Sequence, residues 1–216
     1  MTDVYLFGTN RLGRQISFYM KEDARYNLLG FTLSGQYCDS KEAHGLPLVP
    51  FEELSERGGD FGIINCVGYS KAFSNRQQVD EVITKNSIPL LTYIHKDADI
   101  DYDVEIGIGC IIFKRSHILE CCKIGNSNII QGGAIGHDVV TGNYNFFGYG
   151  SVCGGNITVA DYCFIGENAT IKTGIQLASY TTVGAATYVK GNTVEYEILS
   201  PPKSDSRKYG RPLFLD

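Results

Sequence analysis

The feature that most restricts this chain is a six-residue spacing of aliphatic side chains in its second half. It starts at Ile106 and passes through Ile112, Ile118, Ile124 and Ile130. The phase then slips by one residue and resumes at Ile135, running through Thr141, Phe147, Cys153, Val159, Ile165, Ile171, Leu177 and Val183 to Val189. Thr141 alone in this series is polar. A helix repeats at about 3.6 residues and a strand at about two, so neither explains the pattern. The following residue is usually small, as in Gly136, Gly142, Gly148, Gly154, Ala160, Gly166, Ala178 and Gly184, which leaves room for a sharp corner. Together these features predict a parallel β-helix of triangular cross-section, one hexapeptide per face. With coils about 4.8 Å apart, residues 100 to 190 make about five coils and a prism on the order of 25 Å tall. Such coils bury only their inner row. The aromatic outer residues Tyr144, Phe146, Tyr149, Tyr162, Phe164 and Tyr180 therefore predict a covering partner.

Residues 1 to 92 follow a different grammar, short apolar runs alternating with helical patterns, as in βα units around a mostly parallel sheet. Strands are expected at Val4–Phe7, Leu28–Leu33 and Phe61–Val67, and helices at Leu12–Met20, Phe51–Glu56 and Phe73–Lys85. The reading is an α/β Rossmann-like domain over 1–92, the β-helix over 93–195, and a C-terminal tail over 196–216.

A net charge of -5 argues against nucleic acid as a partner. The N-terminus lacks the order of a secretory signal, and no apolar run approaches the roughly 18 residues that span a bilayer, so a cytoplasmic location without membrane partners is expected. The seven cysteines are odd in number and contain no C-x-x-C pair. They read as reduced, mostly buried small hydrophobes, with no metal site implied.

Several stretches carry a more specific resemblance: Gly8-Thr9-Asn10-Arg11-Leu12-Gly13, Tyr93-Ile94-His95-Lys96-Asp97-Ala98, Ile135-Gly136-His137-Asp138-Val139, Val152-Cys153-Gly154-Gly155-Asn156-Ile157 and Cys163-Phe164-Ile165-Gly166. With them the chain resembles the nucleotide-sugar acetyltransferases of the bacillosamine and perosamine type, related to the sialic-acid O-acetyltransferases. The resemblance implies a Rossmann-like domain followed by a left-handed parallel β-helix. It also implies a homotrimer with active sites between adjacent β-helices, and acetyl transfer from acetyl-CoA to a nucleotide-linked amino sugar.

Carried over by position, it makes His137 the general base and Asp138 the acid that orients the imidazole. A histidine suits this task because it accepts a proton near neutral pH. Adjacent residues on a straight strand point to opposite sides, so the pair must lie on a corner or loop. Gly155 either donates its N–H to the developing oxyanion or only makes a corner. Phe146, Gly166, Glu167, Gly184 and Ala185 match cofactor contacts. Asn10, Arg11 and Leu12 match the phosphate and sugar loop, Gly68 and Tyr69 the turn after the third strand, and Arg11 offsets diphosphate charge. His44, His95 and His117 read as surface or packing residues.

Two departures stand out. Phe146 occupies the place of a second histidine in the bacillosamine enzymes, and Phe31-Thr32-Leu33-Ser34 lacks the aspartates usual at the end of the second strand. The latter also disfavours NAD. Two other readings are O-acetylation of a sugar hydroxyl with the same machinery, and a non-catalytic trimeric scaffold or sensor.

Overall fold

The computed structural model describes residues 1–69 and 73–201, so the expected tail lies outside the described residues beyond Pro201. The first part builds a small mixed sheet from β1 (Thr2–Phe7), β2 (Tyr26–Leu33), β3 (Glu42–Ala43), β4 (Leu46–Pro50) and β5 (Gly62–Asn65), in the order β3-β4-β2-β1-β5. The helices are α1 (Arg11–Met20), α2 (Phe51–Arg57) and α3 (Ser74–Lys85). Alternation along β1 sends Val4 and Leu6 to a core with Ile16 and Met20 of α1, and Tyr5 and Phe7 to a second core with Phe51, Leu54 and Ile83.

This is less than the Rossmann-like domain expected. β3 and β4 form an antiparallel hairpin, with Ala43 opposite Leu46, that the sequence reading left out. Its turn residues His44 and Gly45 both have positive φ, 51° and 76°, as a two-residue hairpin turn needs. Pro47 and Pro50 masked the strand, because proline is tolerated only where no ladder N–H is required.

From Tyr93 onward, dipeptide strands stack into three parallel sheets, the arrangement expected of a left-handed parallel β-helix. Among the described residues they hold seven, six and five strands. The prism is longer than the repeat suggested. It begins with Tyr93–Ile94 and Asp99–Ile100, and Ile198–Leu199 still pairs with Thr182–Val183, beyond the boundary expected at 195. The phase slip costs no register: His117 still faces Ala134, so the missing residue is absorbed in the corner, where Gly132 has a φ of 69°. Inward Thr141 is accommodated because its hydroxyl meets Asn128, which also reaches the carbonyls of Gly125 and Gly142.

The three faces differ outside. The seven-stranded face is covered: outward Tyr93, Ile111 and Ile129 are fully buried in the core of the first sheet, with Tyr144, Phe146 and Tyr162 packed around them. Much of the expected partner is thus the chain's own N-terminal part. The five-stranded face is solvated and carries the Glu105–Lys123 ion pair at 3.1 Å. The six-stranded face presents Ala134, Val152, Thr170 and Tyr188 in line, with Val152 and Tyr188 exposed.

Arg76 of α3 joins the two parts. It is fully buried, and its guanidinium donates to the carbonyls of Asn65 (2.6 Å), Val67 (2.8 Å), Gly109 (2.6 Å) and Ser127 (3.2 Å). One helical turn on, Asp80 accepts from Asn65 and Ser127. Burial pushes the Arg76 pKa down, opposed by the Asp80 charge.

Among the described residues, all seven cysteines are free, with Cys121 alone exposed. No described helix is long and apolar enough to cross a membrane, and no described group of His, Cys, Asp and Glu could hold a metal.

Replacing Arg76 with Met should cost about 3–5 kcal/mol of unfolding free energy, because it strands buried carbonyls and the Asp80 charge together. Urea titration measures this, and a loss below about 1 kcal/mol would mean that the contacts contribute little.

Candidate active site

His137 and Asp138 lie on the corner between the six-stranded and five-stranded faces. Asp138 takes the left-handed conformation, φ 55°, which lets two neighbouring side chains converge. His137 Nδ1 sits 2.7 Å from Asp138 Oδ2. A carboxylate there accepts from Nδ1–H, leaving Nε2 with its lone pair outward. The hydrogen bond to Asp138 is the main cause that raises the His137 pKa above its ordinary value, and Glu120, one coil below, adds to it. Both side chains are about half exposed, 46% and 50%, so solvent or a second molecule can reach them.

One coil above is Gly155. A Cβ built there would fall on His137 Nε2 and lie 2.6 Å from Cε1, so the imidazole occupies space that any side chain would take. No described group accepts from the Gly155 N–H. The corner is fixed by backbone bonds from Asp138 to Glu120 (3.1 Å) and from Asn156 to His137 (2.9 Å).

The residues expected to hold the cofactor lie elsewhere on the chain. Phe146 projects from the covered face and stacks on Phe164, with centroids 5.0 Å apart. Glu167 and Ala185 are exposed on the next corner, between the covered and six-stranded faces. Gly166 is required by coil stacking, since a Cβ would meet Ala185 N at 2.6 Å. Gly184 lies beneath Leu199 and Pro201. Within one chain, then, the His137 set and the Glu167 set occupy two edges of the prism, separated by the six-stranded face.

The substrate loop is partly committed to structure. Asn10 caps α1, accepting from the N–H groups of Leu12 and Gly13, and donates to the Cys66 carbonyl at 3.0 Å. Leu12 packs on the core. Gly13 is needed because a Cβ would collide with the Gly8 carbonyl. Arg11 is exposed. Gly68 is open, and the Tyr69 ring lies tilted against Phe164, centroids 4.6 Å apart, with Phe146 at 6.2 Å, so one substrate and one cofactor candidate meet in a single aromatic cluster.

The sequence reading missed a cleft of about 590 Å³ at the carboxyl ends of β1 and β2, with Ser34, Gln36, Tyr37 and Gln78 in its lining. It lies where ligands enter open α/β sheets. The signal available was Ser34-Gly35-Gln36 after β2, where the chain turns into a short 3₁₀ segment, Gly35–Tyr37. Of the other histidines, His95 accepts from the Asp97 N–H and packs edge-on to Tyr19, His117 lies near Asp99, and His44 meets the Thr9 carbonyl at 2.7 Å.

Neither a protein-family model nor a curated protein matches the sequence. Solved structures do match it. The acetyltransferase domain of PglB from Neisseria gonorrhoeae, in complex with acetyl coenzyme A, is 17% identical with a TM-score of 0.82, over 92% of this chain and 96% of that one. A variant of GDP-perosamine N-acetyltransferase from Caulobacter crescentus, in complex with CoA and GDP-perosamine, is 19% identical with a TM-score of 0.82, over 95% and 98%. WeeI from Acinetobacter baumannii is 19% identical with a TM-score of 0.75, over 92% and 94%. Across both its parts, the chain has the fold of these proteins.

Proposed function

We propose that the protein transfers the acetyl group of acetyl-CoA to the amine of a nucleotide-linked deoxy sugar, with His137 as general base. The observation that carries this reading is the His137–Asp138 pair, its free Nε2 lying over Gly155 on an accessible edge, in a fold shared with PglB and perosamine acetyltransferases.

In this reading the amine attacks the thioester carbonyl while His137 Nε2 takes its proton. The Gly155 N–H, free of other acceptors, donates to the oxyanion. Collapse breaks the carbon–sulfur bond, and the imidazolium returns its proton to the departing thiolate. Asp138 holds the tautomer and stabilises the imidazolium. Phe146, placed where a hydrogen-bonding histidine is usual, offers a packing surface to the pantetheine arm. The neutral cleft by Ser34, Gln36 and Gln78 suits a nucleoside better than carboxylates would suit its phosphates.

A trimer completes the site. The six-stranded face is left uncovered, and beyond the Asp99–His117 pair at its start it is uncharged through Ala134, Val152 and Thr170, which suits a second copy. Three prisms with that face toward a common axis set the His137 edge of each copy beside the Glu167 and Ala185 edge of the next, closing a groove for acetyl-CoA. Such an assembly works in the cytoplasm, where acetyl-CoA is available.

Mass spectrometry after incubation with acetyl-CoA and UDP-, dTDP- or GDP-linked amino sugars should show one added acetyl group, with His137→Ala slowing transfer on the order of 10²-fold or more. Transfer to hydroxyl analogues instead would make the enzyme an O-acetyltransferase. No transfer to either would favour a scaffold or sensor.

A base works deprotonated, so a raised His137 pKa places the acid-side fall of kcat/KM above pH ~6.5. Asp138→Asn should move that fall to lower pH and slow the reaction. An unmoved limb would remove His137 from the role.

Gly155→Ala should displace the imidazole and cut kcat at least about tenfold with folding intact, and an unchanged kcat would show that the ring need not lie there.

A further inference from the structure

A second concave surface, of about 560 Å³, lies where α1 meets the prism, with Arg11, Arg14, Gln15, Phe18 and Tyr19 on one side and Lys114 on the other. Its three cations have no acidic partner within ion-pair distance among the described residues. Lys114 instead lies over the Tyr19 ring, 5.2 Å from its centroid.

Helix stability does not account for the arginines. Arg11 is the first residue of α1 and Arg14 follows in the same turn, with no acid there to balance them. The positive end of the helix dipole disfavours cations at these positions, whereas a bound anion would reverse the sign of that interaction. Phe18 continues the stripe and is 65% exposed, which leaves its ring open to a planar group.

The position along the prism points to the ligand. The Lys114 carbonyl lies beneath Gly132, on the edge that carries Tyr149, Glu167 and Ala185 in later coils, and Gln15 reaches the Tyr149 hydroxyl at 3.4 Å. Gly132 belongs to the same coil as His137, so in the trimer His137 of a neighbouring copy stands one coil above Lys114. An acceptor whose sugar reaches that imidazole has its phosphates at the level of the cations.

We propose that Arg14 and Lys114, with Arg11, clamp the diphosphate of the acceptor nucleotide, and that the clamp is made jointly by α1 and the prism. This rests on the acetyltransferase reading above. It places phosphate recognition on side-chain cations, because Asn10 already occupies the N–H groups of Leu12 and Gly13. Arginine grips phosphate through paired donors and lysine as a point charge.

Isothermal titration of the full chain with UDP, GDP and dTDP, and separately with CoA, tests the assignment. At least one nucleoside diphosphate should bind, more weakly as salt is added. Arg14→Gln and Lys114→Gln should each raise its Kd about tenfold or more and leave the CoA Kd unchanged, with Lys85→Gln at the end of α3 as the charge control. Unchanged diphosphate binding in both variants, loss of CoA binding instead, an equal loss in the control, or no diphosphate binding by the parent chain would each overturn it. Acetyl transfer that depends on His137 would survive all of these outcomes, so failure of the clamp is separable from failure of the acetyltransferase reading.

Discussion

The buried guanidinium of Arg76 is the constraint on which the placement of everything else depends. A planar fork with five donors is the one side chain that can satisfy carbonyls from the end of β5, from the turn after it and from two prism corners at once. Three of those carbonyls, on Asn65, Gly109 and Ser127, are buried, so the cost of leaving them unpaired helps to hold the sheet at one orientation on the prism. Asp80 balances the charge and closes the node through Asn65 and Ser127. The cleft beside β2, the cations of α1 and the prism corners keep fixed positions relative to one another because of it.

Around that node, the prism divides its labour by face. Isoleucines and aromatics point outward where the first sheet covers them and charges where water does, while on the remaining face the Asp99–His117 pair gives way to Ala134, Val152, Thr170 and Tyr188. Inside, all three faces obey one rule, because each coil must bury its aliphatic residue on the coil below. The candidate residues His137, Asp138 and Gly155 sit at corners, where the backbone is free to leave strand geometry and one coil can meet the next through side chains. Aromatic corner residues use the same freedom: Tyr144, Tyr162, Tyr180 and Tyr196 all take positive φ and stack with centroids 4.7 to 5.3 Å apart. Their contact offsets a conformation that bulky residues otherwise avoid.

The His137 corner shows how little structure such a site needs. One residue in the left-handed conformation brings an acid to an imidazole, and one glycine a coil away leaves room for the ring. The same economy leaves the corner open to solvent, with His137 and Asp138 about half exposed. A prism edge offers a base and a donor but no walls, and walls are what exclude water from a reacting thioester.

The sequence by itself determined the prism, because a six-residue alternation of inward aliphatic and corner residue is a local rule that each coil repeats. His137, Asp138 and Gly155 were marked as a set only by the resemblance to the nucleotide-sugar acetyltransferases, because nothing in the six-residue period itself singles out a histidine, an acid or one glycine among many. The sequence did not reveal the β3–β4 hairpin, where prolines hide a strand that sheet position permits, or the coil end at Ile198–Leu199, which falls outside the six-residue period. Only the tertiary structure decided which outward aromatics are covered by the chain itself, and that Asn10 is spent on a helix cap. It alone showed that Arg76, one arginine among many on a polar-looking helix, is the joint between the two parts. These depend on which distant surfaces meet, and a side chain's burial is set by the partner that reaches it rather than by its neighbours in sequence.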